Sequence, residues 1–120
     1  MDNDAYYTWR EAGFSVSILL DGDADPEDLE RGDAIVLLPR GDRYSALLLT
    51  REEVARVMDR GAESGESLSG SYFCTSDLVI VRLRGVTAMI DVIRDIVASG
   101  NISAYLPKIV DDGEIVVPTM

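Results

Sequence analysis

The chain has no histidine among its 120 residues. That removes the commonest general base and the commonest metal ligand together. Ser-His-Asp and Cys-His catalysis are excluded, as are histidine-containing zinc sites. A single cysteine, Cys74, rules out an internal disulfide and cannot build a zinc cage. Lysine is nearly missing as well, since Lys108 stands alone beside ten arginines. No apolar run approaches the length of a membrane span. Met1-Asp2-Asn3-Asp4 lacks the basic start and apolar centre of a signal peptide. These absences point to a cytoplasmic protein without metal or cofactor and without a membrane partner. They also count against an enzyme, because catalysis would rest on carboxylates, arginines, tyrosines or one thiol; enzymatic activity stays uncertain, leaning to no.

Negative charge is what the chain has in excess. Asp and Glu number 22 against 11 Lys and Arg, for a net charge of −11. Such a field repels nucleic acid, whose binding depends on cationic contacts to phosphate, and attracts basic proteins. Adaptation to high salt would produce the same composition. With 47% hydrophobic residues the length suits one domain with one core, residues 1–120.

The chain reads as organised around residues 78–97. Leu78-Val79-Ile80-Val81 is an unbroken, β-branched run that predicts a central strand buried on both faces. Val86, Met89, Ile90, Ile93, Ile96 and Val97 then recur at helical spacing, and Gly100 follows where a left-handed C-cap is wanted. Further elements carry their own signals. Phe14, Val16, Ile18 and Leu20 alternate with Ser15 and Ser17, a strand solvated on one face. Residues 34–38 and 44–49 flank Pro39-Arg40-Gly41-Asp42-Arg43, a hairpin pattern. Thr50 and Glu53 form a capping box for a helix that pairs Glu52 with Arg56 and stops at Gly61. Tyr72-Phe73-Cys74-Thr75 resumes β character, with Cys74 expected as a small core residue. Lys108–Val117 reads as a small hairpin turning on Asp112-Gly113. The aromatic segment at 4–13 fits a short helix or an edge strand nearly equally.

The expected fold is therefore α+β: a mainly antiparallel sheet of four to five strands (14–20, 34–38, 44–49, 72–83), with two principal helices, 51–60 and 86–99, packed on one face.

Candidate chemistry is sparse. Asp21, Asp23 and Asp25 match the first acidic positions of a calcium loop, but Pro26 stands where Gly is needed and Gly32 where a bidentate Glu is needed. Arg31-Gly32-Asp33 and Arg40-Gly41-Asp42 fall where strands and turns favour Gly and Asp anyway. Arg82 and Arg84, ahead of a helix start, form a weak anion-binding candidate. The densest negative run is the loop of Asp21, Asp23, Asp25, Glu27 and Asp28, in which Asp25 can cap a turn begun by Pro26. We expect this loop to meet a basic protein partner, with Tyr6, Tyr7, Trp9 and Tyr44 as aromatic anchors. An inhibitor or immunity-type protein is the concrete form. The alternative is a homo-oligomeric or ligand-binding domain whose acidity reflects salt adaptation.

Overall fold

The period-two pattern of residues 14–19 becomes a strand with one dry and one wetter face: Phe14, Val16 and Ile18 are buried, Ser15 and Ser17 half-buried. In the computed structural model, which describes residues 6–20, 22 and 25–110, this strand is the second of a six-stranded sheet. Strands β1 (Tyr6–Glu11), β2 (Phe14–Leu19), β3 (Arg31–Leu37), β4 (Arg43–Thr50) and β5 (Leu78–Val81) lie side by side in that order. The first four are antiparallel neighbours and β5 runs parallel to β4. A short β6 (Lys108–Ile109) pairs antiparallel with the start of β4. The aromatic segment is thus an edge strand. The α+β class and the mainly antiparallel sheet hold.

Two long helices complete the fold, α1 (Arg51–Ser64) and α2 (Val86–Ala98). The predicted stripe of α2 is its buried side: Val86, Met89, Ile90, Ile93 and Ile96 pack with Phe14, Val16, Ile18, Ala34, Val36, Ala46 and Leu48. Each such side chain contributes about 1.5–3 kcal/mol when fully buried. Gly32 makes the close approach possible, since a Cβ there would stand 2.8 Å from Met89 Sδ. That helix-to-strand contact explains the glycine of Arg31-Gly32-Asp33 without any adhesive role.

The helices divide between the two faces. Leu47 and Leu49 point away from α2, yet they are 6% and 0% exposed and lie outside the α2 core. Besides α2, the helix α1 is in contact with β4 and β5 and forms the crossover between these parallel strands. It covers the β4 end of the second face, and the one-face packing expected for both helices holds for α2 alone. A parallel β4–β5 pair requires such a crossover.

Other expectations change for local reasons. Leu78–Val81 lies at the sheet's edge rather than its centre: among the described residues β5 pairs with β4 alone, and Ile80 is 54% exposed. Residues 72–77 form no strand, and Cys74 is exposed, not core. Gly61 does not end α1. It is buried inside it, where a Cβ would come within 3.1 Å of Gly70 Cα, and the helix closes on Gly65 in the left-handed conformation. The chain then makes a left-handed turn through Ser67, Leu68 and Ser69 and folds back against α1. Of the predicted hairpin at 108–117, β6 is present; residues 111–117 lie outside the described residues.

Candidate binding site

The acidic segment leaves β2 at Leu19 and returns as β3 at Arg31. Its described part is ordered by its own side chains. Asp25 Oδ1 accepts from the Glu27 amide at 2.9 Å and starts a single 3₁₀ turn, Pro26–Asp28, as the Asp-Pro order anticipates. Glu27 then reaches the first turn of α2: its carboxylate accepts from the Thr87 hydroxyl at 2.6 Å and from the Thr87 amide at 3.4 Å. The positive end of α2 is thereby met by the chain's own carboxylate. Gly85 lets the two segments touch, since a Cβ there would sit 2.7 Å from the Glu27 carbonyl oxygen. The anion at this helix start is thus the chain's own Glu27, held by Thr87. Arg84 stands 3.6 Å from Asp28 in an exposed pair, worth little energetically, and Arg82 is exposed.

Below this turn lies an open cavity of about 480 Å³. Leu19, Leu20 and Leu29 supply its apolar part; Asp28, Glu30, Asp33 and Glu53 bring four carboxylates to it, and Arg31 and Arg56 two guanidinium groups. Both cations are already engaged. Arg56 bridges Glu30 at 2.5 Å and Glu53 at 2.9 Å, while Arg31 stands 3.6 Å from Asp33. Arg56 therefore pairs with Glu53 and Glu30, not with the Glu52 that helical spacing suggested. Hydrogen bonding from Arg56, with a smaller share from the Thr50 hydroxyl, holds the Glu30 carboxyl below the usual carboxylate range.

Thr50 ties the site to α1. Its hydroxyl accepts from the Glu53 amide at 3.0 Å, which is the predicted cap, and donates to Glu30 at 3.1 Å. The reciprocal arm of the capping box is missing. Glu53 turns to Arg56 and Arg60, and the Thr50 amide donates to the Glu30 carbonyl instead.

The proposed partner-binding residues do not form one surface. Asp21 and Asp23 lie outside the described residues, while Asp25 and Asp28 are exposed at the acidic end. Tyr6 is paired with Leu19, a wall residue of the cavity, and is 52% exposed on the sheet face away from α2. Tyr7 and Trp9 lie on the opposite face, against α2, where Trp9 donates to Glu11 at 2.7 Å. Tyr44 is corrected outright: it is a core residue, 5% exposed, with its hydroxyl 3.4 Å from Ser103 Oγ. Alternation within β4 puts it on the α2 face. Glu30, Asp33 and Glu53 were missed as site residues, because only the β3–β4 register and the start of α1 bring them beside Asp28.

Among the described residues no helix is long and apolar enough to cross a membrane. No protein-family model matches the chain, and neither the curated proteins nor the solved structures contain a match.

Proposed function

We propose that the chain is a small acidic binding protein that recognises a basic protein partner, most concretely as an inhibitor or immunity-type protein. The observation that carries this reading is the concave acidic end: four carboxylates against two arginines around an apolar floor, so negative charge stays in excess there after Arg56 has paired with Glu30 and Glu53 and Arg31 with Asp33. A lysine or arginine of a partner would find carboxylate acceptors there and leucines for its aliphatic stem. Tyr6 is the anchor best placed beside it. Carboxylates also line α1 and α2, as salt adaptation would produce; of these, Glu53 belongs to the acidic hollow and Asp91 borders a smaller one beside Tyr7, Trp9 and Ile90.

The test uses the protein as bait in its native lysate at low ionic strength, beside the variant D25N/D28N/D33N. Asparagine keeps the turn cap at position 25 while removing charge. Wild-type bait should retain a dominant basic protein that the variant loses, and association should slow as salt shortens the Debye length below ~10 Å. Equal capture by both baits, or a dominant acidic partner, would sink the reading.

A further inference from the structure

Among the described residues strand β1 is an edge with no bulge, proline or covering strand, its one charge on the α2 side being Glu11 at its end. Among the described residues its neighbour is β2 alone, and the pairing runs one-to-one from Tyr6↔Leu19 to Glu11↔Phe14 with no bulge. The sequence Tyr-Tyr-Thr-Trp-Arg-Glu has strong β propensity and no proline. Natural edges are blunted by bulges, prolines, inward charges or a covering element, because a straight row of open backbone donors and acceptors invites another strand. The β5 edge differs: it is four residues long and gives way to Arg82, Leu83 and Arg84.

Charge makes β1 unusual in a chain of net −11. Arg10 and Glu11 cancel, and Glu11 is held by Arg94 at 2.8 Å and by the Trp9 indole. Two copies repel each other over most of their surface, and β1 is a place where they meet without that cost.

We infer that β1 is a self-pairing edge, at which two copies of the chain join antiparallel about a two-fold axis through Thr8. Perpendicular to the sheet, such an axis keeps like faces together, so residues whose numbers sum to sixteen stand opposite one another. Thr8 then meets Thr8 of the second copy, Tyr7 meets its Trp9, and Tyr6 meets its Arg10. The pairs among residues 6–10 are favourable: threonine hydroxyls across from each other, an aromatic pair, and a guanidinium beside a phenol ring. No like charges face each other. The interface is isologous and closes at two copies, giving a continuous twelve-strand sheet rather than a fibre. Thr8 is exposed, so it tolerates substitution. This interface shares Tyr6 with the border of the acidic end, and it stands whether or not a basic partner exists.

The test is the molar mass of the purified chain by sedimentation over a wide concentration range, with amide exchange of residues 6–11. Wild type should pass from monomer to dimer, and exchange at 6–11 should slow in step. Thr8→Lys sets two lysines face to face on the axis and should leave a monomer, with its unfolding midpoint confirming that it folds. Thr8→Glu should do the same. An equimolar mixture of the two should recover a heterodimer, because position 8 faces position 8. Ile35→Glu, on the open face of β3, should dimerise as wild type does. A wild type monomeric throughout, a dimer indifferent to Thr8→Lys, a dimer abolished by Ile35→Glu instead, or a mixture that fails to pair would each overturn the proposal.

Discussion

One face of the sheet carries Phe14, Val16, Ile18, Ala34 and Val36 beneath α2; the other, one residue out of step, carries Ser15, Ser17, Ile35 and Leu37. The same strands build both. On the first face these residues are at most 5% exposed, whereas Ile35 and Leu37 on the second remain 37% and 41% exposed. Residue type alone does not separate them, because Ile18 and Ile35 are chemically identical. What separates them is which helix arrives. The α2 stripe reaches across β2 and β3, while α1 covers only the β4 end. Over β2 and β3 the first face is core, and the second is left as surface; only at β4, with Leu47 and Leu49, is the second face buried too.

The sharpest way to break this contrast is to truncate the two isoleucines. Ile18→Ala should cost about 2–5 kcal/mol, because it opens a cavity that the packed helix cannot fill. Ile35→Ala should cost under about 1 kcal/mol, because water already reaches that side chain. Urea denaturation of both variants measures the difference, and equal losses would mean the second face is as well covered as the first. Next in size is Gly85→Ala. It adds a Cβ to a residue at φ 100 and drives it into Glu27, which should detach the start of α2 at a cost of about 1–3 kcal/mol.

Thr50→Ala probes the other helix. It removes the cap of α1 and a donor to Glu30, and should lower stability by about 1 kcal/mol, with Thr50→Ser restoring most of it. A shift in the unfolding midpoint reads the effect, and none at all would mean α1 needs no cap.

The smallest expected effect is one of pH, and it touches both faces. Glu11 is held below its usual range by hydrogen bonds from Arg94 and then Trp9, and Glu30 by Arg56 and then Thr50. Each carboxyl binds its proton less readily folded than unfolded. The resulting stabilisation is present above the ordinary glutamate value of about 4.3 and is lost as pH falls through the depressed folded values. Unfolding midpoints measured from neutral pH down to pH ~3 should fall. The fall should be shallower in Arg94→Gln, which no longer holds Glu11; a variant with the wild-type profile would remove Arg94 as the cause.

Much of the fold could be read from local signals. The alternation at 14–20, the turn at Pro39–Asp42, the cap at Thr50, the Asp25-Pro26 turn and the α2 stripe all appear where their residues imply. The candidate site was half legible. Asp25 and Asp28 stand exposed as a charge-dense loop suggests, yet Glu27 is committed to α2, 60 residues away, and no local pattern reports such a contact. Tyr44 and Cys74 failed in opposite directions. An aromatic residue beside a turn is core when strand phase turns it inward, and a cysteine is surface when its segment forms no strand.

What the sequence by itself determined is therefore local: which stretches alternate, which repeat at helical spacing, and where a cap or a proline starts a turn. These properties follow from the φ/ψ preferences and solvation of neighbouring residues, so they need no partner across the fold. Only the tertiary structure decided how many neighbours each strand has. Leu78–Val81 is apolar enough for a central position, but β6 takes up the first residues of β4 and α2 crosses back over β2 and β3, leaving β5 at an edge. It also decided which carboxylates gather around the cavity, since Glu30, Asp33 and Glu53 meet through strand register and a parallel crossover. Such contacts join residues far apart in the chain, and their energies depend on pairings that no single stretch of it contains.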